Sequence, residues 1–424
     1  MSEHCDVLVI GAGPAGIAAA VSAAAAGVRV GLIDDNPAPG GQIWRKGGAQ
    51  PAAARRWMER LGAAPLVRLQ GWRVFDAPDH GLLRAECNGE WRELRYGKLI
   101  IATGARERFL PFPGWTLPNV MGAGGLDAMV RGGLPIAGKR VVMAGTGPLL
   151  IAVAAHLARR GAKIVAVCEQ APLGRLVRFG ARLAGEPAKL LQAAEYGLAT
   201  RGSKYYFDCW PVAAEGNDRL ASVTLRRKGK RWEVRCDYLA CGFHLVPNLE
   251  LPALLRCRTE DGFVAVDGQL RTSIGNVFCA GEPTGIGGVE MASAEGEIAG
   301  LAAAGRTEEA EKLTRRRNAG MGFSRALKNA TELDPQLRRL ASDDTIVCRC
   351  EDVSFGKLRE RINWRDAKLH TRCGMGACQG RVCGAATEFL FGWDATSARP
   401  PVFPALVSSL SGRTTSTVEQ REFL

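Results

Sequence analysis

Short apolar runs alternate with small-residue segments near the N-terminus and again near residue 140. Near the N-terminus the pattern predicts a buried parallel strand over residues 6–10, a helix over residues 14–26 and a second strand over residues 28–33. The same order recurs at residues 140–144, 145–160 and 163–167. Each set forms a β–α–β unit, so the pattern predicts an α/β protein with two dinucleotide-binding (Rossmann-like) domains.

The remaining pattern predicts smaller elements and the domain bounds. Residues 223–234 predict a hairpin, and residues 303–343 are highly charged and predict a helical connector. The Arg315-Arg316-Arg317 run within it favours a solvated face. The predicted bounds are 1–115 with 246–305 for the first, discontinuous domain, 116–245 for the second, 306–342 for the connector, 343–395 for a cysteine-rich domain and 396–424 for an extended tail.

A glycine-rich turn directly follows the first predicted strand. Gly11 permits a tight turn, Gly13 allows the backbone to approach a pyrophosphate, and Gly16 allows the helix to pack close to the strand. Pro14 and Ala15 lie at the start of the helix, whose free N–H groups favour phosphate. Asp34, followed by Asp35, ends the second strand, where a carboxylate can bind ribose hydroxyls. The sequence therefore predicts a dinucleotide site.

Three further motifs favour FAD over NAD at this site. They are a glycine loop and two strand ends: Gly40, Gly41 and Gln42; Ala102, Thr103 and Gly104; and Gly281 with Glu282. The glycine loop can pass close to a flat ring, and the strand ends supply small residues and an acid.

The second fingerprint is degraded. Gly145 and Gly147 are present, but Leu150 stands where a small residue is expected. We expect its side chain to push the helix from the strand or to project toward the ligand. Glu169 ends the next strand, where an acid favours NAD over NADP. Three interpretations stay open: an adenine nucleotide, a working NAD(P)H site, or a scaffold without turnover.

Five cysteines lie in the last quarter of the chain. Cys348 and Cys350 are one residue apart, and Cys373, Cys378 and Cys383 follow in a glycine-rich loop. Four thiolates suit a [2Fe–2S] cluster or zinc, and the spacing favours the cluster over zinc or free thiols. The predicted ligands are Cys348, Cys350, Cys378 and Cys383, with Cys373 as the alternative. Outside this loop the sequence offers no cysteine pair with two residues between its members, which argues against thiol–disulfide chemistry.

Composition adds bounds rather than a function. The 424-residue chain has a formal net charge of +13, which indicates either solubility or acidic partners, and no nucleic-acid motif accompanies it. Residues 7–27 are uncharged, but glycines interrupt them, so this segment predicts neither a signal peptide nor a membrane segment. The sequence has thirteen cysteines and no export signal, which indicates a reducing compartment and predicts a cytoplasmic location. None of the five histidines lies in a catalytic motif, and His244 is interpreted as packed.

These motifs together resemble known families. The glycine turns and strand ends are similar to flavoproteins of the thioredoxin and glutathione reductase type, in which a late Gly-Asp pair holds the FAD ribityl chain; here the acid is Glu282. Residues 374–383 look like the bacterioferritin-associated-ferredoxin type of [2Fe–2S] domain. The whole chain resembles the FAD subunits of opine dehydrogenases, D-hydroxyproline dehydrogenase, hydrogen cyanide synthase and sarcosine oxidase.

That resemblance implies an electron-transfer subunit of a heteromeric dehydrogenase for a secondary amine or imino acid (hydroxyproline, proline, opine or sarcosine). It implies a flavin-containing β subunit of the D-amino-acid-oxidase type, a small ferredoxin-like γ subunit, an FMN at a subunit interface, and a location peripheral to the inner membrane. The alternatives are a self-contained NAD(P)H-dependent reductase and an iron–sulfur sensor or carrier. The catalytic residues, the substrate and the final acceptor stay unassigned.

Overall fold

The computed structural model describes residues 3–44, 51–182, 187–395 and 398–411. Its strands are β1 (Glu3–Ile10), β2 (Val30–Asp34), β3 (Val67–Gln70), β4 (Arg73–Asp79), β5 (Leu82–Cys87), β6 (Glu90–Ile101), β7 (Ala105–Glu107), β8 (Val120–Gly122), β9 (Arg140–Thr146), β10 (Lys163–Glu169), β11 (Lys204–Phe207), β12 (Cys209–Glu215), β13 (Ser222–Arg227), β14 (Lys230–Arg235), β15 (Tyr238–Phe243), β16 (Leu245–Pro247), β17 (Thr259–Glu260), β18 (Phe263–Val264), β19 (Val277–Cys279), β20 (Ile346–Cys348) and β21 (Val353–Ser354).

The helices lie between these strands or follow them. They are α1 (Pro14–Ala25), α2 (Ala52–Ala63), α3 (Ala123–Arg131), α4 (Pro148–Arg159), α5 (Leu173–Arg182), α6 (Pro187–Ala199), α7 (Glu250–Leu254), α8 (Gly288–Ala303), α9 (Thr307–Glu311), α10 (Thr314–Ala330), α11 (Phe355–Arg359), α12 (Trp364–Thr371), α13 (Cys383–Phe391) and α14 (Val407–Leu410). Among the described residues, no helix combines the length and the apolar character needed to cross a bilayer.

The chain forms two compact units. The first comprises residues 1–105, 247–322 and 396–424, and the second comprises residues 106–246 and 323–395. Each contains one sheet with a parallel core of the dinucleotide-binding type, so the predicted α/β class with two such folds is confirmed. The finer domain bounds proposed from the sequence stay a prediction.

The first unit is built on a seven-stranded sheet. Strands β3, β2, β1 and β6 are parallel neighbours, β19 also pairs with β6, and β5 and β4 extend the sheet antiparallel. Helices α1 and α8 pack against each other at very close range. A Cβ at Gly296 or Gly300 would lie 2.1 or 2.3 Å from the carbonyl oxygens of Ala15 and Ala19. The small residues of both helices therefore permit this contact.

The second unit combines a five-stranded parallel sheet, ordered β11-β10-β9-β15-β8, with the antiparallel strands β12, β13 and β14. The predicted hairpin is confirmed, with Arg227 opposite Lys230 at its turn. Leu150, Val153 and Leu157 of α4 pack in one apolar core of this unit. Residues 346–393 add a hairpin and three helices around a smaller core that includes Leu358 and Trp364.

The charged connector contains one residue that contradicts its predicted solvated face. Arg315 and Arg316 are exposed, but the Arg317 side chain is only 11% exposed and binds Glu295, which is fully buried. A run of three identical residues cannot share one environment on a helix, because successive side chains point about 100° apart. In the predicted extended tail, Val402 donates a backbone hydrogen bond to Phe75 O at 2.7 Å, and residues 396–397 and 412–424 lie outside the described residues.

Candidate cofactor sites

The turn between β1 and α1 requires glycine at two positions. Gly11 has φ of +100°, and a Cβ there would lie 2.3 Å from the carbonyl oxygen of Ala102. A Cβ at Gly16 would lie 1.7 Å from the carbonyl oxygen of Gly11. These approaches bring the turn, the helix start and the end of β6 together, as the sequence predicted for a dinucleotide turn.

Open space lies beside Gly13, the middle glycine of the turn. A Cβ at this position would meet only the Cα of Gly41, at 3.9 Å. The glycine loop reaches the turn because Gly40 donates a backbone hydrogen bond to Ala12 O at 2.7 Å, and Gly40 and Gly41 have φ of +122° and +56°. The predicted Gln42 follows the loop and is exposed. The free space is suited to a group that contacts backbone, as a pyrophosphate does.

The two predicted acids after β2 differ in their surroundings. Asp34 is buried, and its carboxylate accepts hydrogen bonds from the backbone N–H of Ala12 and from the backbone N–H of Asn36, the latter at 2.7 Å. It therefore orients the glycine turn itself. Asp35 is exposed, with Oδ2 3.7 Å from Nε of Arg73.

The loop after β6 is fixed by a residue that the sequence did not indicate. Thr103 donates its hydroxyl hydrogen to Asn248 O at 2.9 Å, and the side-chain amide of Asn248 donates to Thr103 O at 2.7 Å. Gly104 O accepts from the backbone N–H of Asn248 at 3.0 Å. This reciprocal pair holds the predicted residues 102–104 in one conformation.

Glu282 carries a buried oxygen that has no protein partner among the described residues. Its Oε1 accepts from the backbone N–H of Gly288 at 3.2 Å, whereas Oε2 is buried and unpaired. Burial raises the pKa of Glu282 to about 7. The preceding Gly281 packs on the helix start, since its Cβ would lie 2.8 Å from that of Ala15. An unpaired buried acceptor beside the glycine turn fits a ligand hydroxyl, as FAD would supply.

A second buried acid supports this strand end. Oε2 of Glu295 accepts from the backbone N–H of Gly281 at 2.9 Å and from the hydroxyl of Thr284 at 2.6 Å. Its Oε1 accepts from Nε of Arg317 at 3.0 Å. Sequence reasoning missed the roles of Glu295 and Arg317, because α8 contains three glutamates and nothing in the pattern singles out the buried one.

The second glycine turn has the expected backbone but a closed interior. Gly145 has φ of +148°, and its Cβ would lie 2.1 Å from the carbonyl oxygen of Gly242. Leu150 is buried in the core between helix and strand and does not project toward a ligand. Glu169 accepts from the backbone N–H groups of Gly147 and Ala171, both at 2.8 Å, and burial raises its pKa.

Residues 331–334, here called the cover segment, lie against this second turn. A Cβ at Gly147 would be 3.6 Å from the methyl carbon of Thr331. Gln170 is fully buried, and its amide nitrogen donates to the carbonyl oxygens of Thr331 and Glu332 at 3.4 and 3.2 Å. Nε2 of His244 contacts the Thr331 carbonyl oxygen at 2.5 Å, and burial lowers the pKa of this histidine. The interpretation of His244 as packed agrees with this contact.

The C-terminal cysteines form one connected group. Sγ atoms of Cys348, Cys373 and Cys383 all lie within 4.8 Å of one another, and all three residues are buried. Cys378 is half-buried, and its neighbours Cys383 and the exposed Cys350 help to lower the pKa of its thiol. The structure thus joins the four predicted ligands and also places the alternative, Cys373, beside two of them.

Close backbone packing shapes the loop around these thiols. A Cβ at Gly376 would lie 2.3 Å from that of Cys350, and one at Gly374 would lie 2.5 Å from the Trp364 ring. Hydrogen bonds from Cys373 and Cys383 lower the pKa of the Cys348 thiol. The same contacts raise the pKa values of Cys373 and Cys383. Thiols this close to one another are the donor set of a soft metal centre.

Positive side chains lie around the cysteine loop. Arg372 Nε binds Glu351 at 2.7 Å, and the Arg349 guanidinium lies 5.5 Å from the centre of the Trp115 ring. Nε of Arg106 donates to the carbonyl oxygen of Arg381 at 2.9 Å. Outside the loop, Cys241 and Cys279 are buried free thiols whose pKa values burial raises.

Two dinucleotide-type folds, and a glycine cradle beside a buried acid with one unpaired oxygen, are features of a two-domain flavoprotein oxidoreductase. Residues 5–296 match the family described as pyridine nucleotide-disulphide oxidoreductase, so the chain belongs to that family, which implies FAD in the first fold. The A subunit of opine oxidase from Rhizobium meliloti (strain 1021) is 32% identical over 445 residues, which cover 94% of this chain and 96% of that protein. The HcnB subunit of hydrogen cyanide synthase from Pseudomonas aeruginosa is 31% identical over 418 residues, covering 89% and 90%.

Two solved structures share the fold. L-proline dehydrogenase from P. horikoshii superposes with a TM-score of 0.64 at 19% identity, covering 97% of this chain and 80% of that one. T. acidophilum thioredoxin reductase superposes with a TM-score of 0.57 at 19% identity, covering 72% of this chain and 100% of that one. The predicted resemblance to subunits of the opine oxidase and hydrogen cyanide synthase type is confirmed by the two relatives named above.

Proposed function

We propose that this chain is the electron-transfer subunit of a heteromeric dehydrogenase that oxidises a secondary amine or imino acid of the hydroxyproline, proline, opine or sarcosine class. FAD would occupy the first fold and a [2Fe–2S] cluster the cysteine loop. When bound, FAD exchanges electron pairs or single electrons, and the cluster passes single electrons. Substrate oxidation would take place on a partner subunit.

The main support for this proposal is the position of the cover segment against the second glycine turn. This segment lies beside Gly147, where a nicotinamide dinucleotide would place its pyrophosphate, and Gln170 holds it with three hydrogen bonds. Electrons from NAD(P)H would need this segment to move. An adenine nucleotide in this fold remains a prediction of the fingerprint alone. The closed turn is more consistent with electrons that arrive from another flavin than with electrons from NAD(P)H.

The residues around the first turn divide the work of holding FAD. Gly11, Gly13 and Gly16 would admit the pyrophosphate, and the α1 N-terminus would offer its free N–H groups. The Glu282 carboxylate would accept a hydroxyl hydrogen at its unpaired Oε2. Glu295, paired with Arg317, would hold the strand end at Gly281 in place.

Cys373 lies close to Cys348 and Cys383, so the choice of four cluster ligands rests on how the cysteines pair. Each iron of a [2Fe–2S] cluster takes two thiolates in a Cys₄ site. Setting Cys373 aside leaves two neighbouring pairs, Cys348 with Cys383 and Cys350 with Cys378. We propose these four as ligands and Cys373 as a buried neighbour.

The names of the relatives support the existence of partner subunits. The two relatives described above, from opine oxidase and from hydrogen cyanide synthase, are each one subunit of their enzyme. We propose a flavin-containing β subunit of the D-amino-acid-oxidase type, a small ferredoxin-like γ subunit, an FMN at a subunit interface, and a cytoplasmic location peripheral to the inner membrane.

The test uses the chain loaded anaerobically with FAD, iron and sulfide. Proline, hydroxyproline, sarcosine or an opine added to this chain alone should leave the flavin absorption unchanged. Addition of the β subunit encoded with it should then bleach the flavin with one of these substrates. Full-rate reduction by any of them without a partner would refute the electron-transfer role. Retention of iron without flavin would indicate a cluster carrier instead.

A further inference from the structure

Helix α5 lies on the surface of the second unit with no buried residue. Leu173 and Val177, one turn apart, are 51% and 62% exposed, so they lie side by side on one exposed face of the helix. One contact of this helix is aromatic: Phe179 and Phe323 pack with ring centroids 5.7 Å apart.

The helix separates apolar from basic side chains completely. At 100° per residue, Leu173, Leu176 and Val177 lie on one face. The opposite face carries three basic residues spaced three and four apart, Arg175, Arg178 and Arg182, and the ten residues contain no acid. Of these, only Arg175 has an acidic neighbour among the described residues, Glu332 at 3.9 Å, and both are exposed.

We propose that α5 binds the surface of an anionic lipid bilayer, with Leu173 and Val177 inserted among the headgroups and the arginines near the lipid phosphates. A short helix with an exposed aliphatic face, an arginine face and low overall hydrophobicity is suited to lie in a membrane interface. A bilayer offers an apolar layer under an anionic one, which matches both faces of α5. The net charge of +13 favours approach to such a surface.

Helix α6 offers a second exposed aliphatic line. Leu191 and Leu198, which are two turns apart on one face of α6, are 73% and 68% exposed. They increase the aliphatic surface that this part of the second unit exposes. The proposal does not depend on the redox role of the chain, because neither helix contains a proposed cofactor residue.

The experiment is flotation of the full, FAD-loaded chain with lipid vesicles. We expect co-flotation with vesicles of equimolar phosphatidylcholine and phosphatidylglycerol, and none with phosphatidylcholine alone. Salt should release the chain, because screening weakens the arginine contacts. Replacement of one arginine, Arg178→Gln, should weaken binding about fivefold.

A matched pair of variants tests the face itself. Val177→Glu should weaken vesicle binding about tenfold or more, because a charge cannot enter the apolar layer. Val407→Glu makes the same change on α14, where Val407 is 81% exposed, and should float as wild type does. Flavin content and circular dichroism of both variants should match wild type. Equal flotation of Val177→Glu and wild type would overturn the proposal. So would loss of β-subunit binding in Val177→Glu without any vesicle binding, which would assign the face to a protein partner.

Discussion

The side-chain carbonyl of Gln170 accepts a hydrogen bond from the backbone N–H of Asp334 at 2.9 Å. Through this bond, and two more from its amide nitrogen, one fully buried residue holds the cover segment against the second glycine turn. In the second dinucleotide-type fold, the cover segment thus lies beside the position where the pyrophosphate of a nicotinamide dinucleotide would bind. The arrangement favours a subunit that receives electrons from a partner over one that takes them from NAD(P)H.

Gly13→Ala should weaken FAD binding without damaging the fold. The new methyl group would meet only Gly41 at 3.9 Å, and the backbone of Gly13, at φ −77° and ψ −176°, suits alanine. It would occupy the free space that the pyrophosphate needs, so FAD affinity should fall about tenfold or more. Flavin titration measures this. Gly62→Ala in α2, where a Cβ meets nothing within 4 Å, is the control and should bind FAD normally.

Glu282→Gln should stabilise the flavin-free chain at high pH. Burial raises the pKa of Glu282 from 4.5 to about 7, so the folded state binds the proton more tightly than the unfolded state. Wild-type stability should therefore fall as pH rises from about 4.5 to 7, by up to roughly 3 kcal/mol. Glutamine mimics the protonated acid and should remove that fall. Urea unfolding at pH 5 and pH 8 tests this, with the exposed Glu308→Gln as control; equal pH profiles for Glu282→Gln and wild type would contradict it.

Cysteine replacements should separate the ligands from their neighbour. Cys350→Ala and Cys378→Ala should lose the visible cluster absorption and the bound iron, since each removes one of four thiolates. Cys373→Ala should keep both, at a stability cost of about 1 kcal/mol for the small buried cavity. Iron analysis and absorption spectra decide between these sets. Retention in Cys350→Ala with loss in Cys373→Ala would exchange the two assignments.

Arg317→Ala should destabilise the first unit strongly, because it leaves the fully buried Glu295 without its ionic partner. We expect a loss of about 3–5 kcal/mol in the free energy of unfolding. The neighbouring Arg316→Ala removes a half-exposed arginine bound to Glu297 at 2.6 Å and should cost about 1 kcal/mol or less. Urea denaturation of both variants measures the difference, and similar losses in the two would show that the buried pair contributes little.

Local features were predictable from the sequence, and distant pairings were not. The glycine turns follow from backbone conformation and period, which a few residues determine. Asn248 lies 145 residues from Thr103, and Asp334 lies 164 residues from Gln170, so no local pattern links them. Arg317 is chemically identical to Arg316, and only the position of Glu295 makes its environment different. The pairing of the cysteines likewise depends on how the glycine loop folds over Cys350.

The most direct test of the central claim is an anaerobic NADH titration of the FAD-loaded chain, followed at the flavin absorption band. With the cover segment held by Gln170, NADH should leave the flavin oxidised, while dithionite reduces it normally. Rapid bleaching by NADH would show a working nicotinamide site in the second fold and would contradict the proposal that electrons come from a partner subunit.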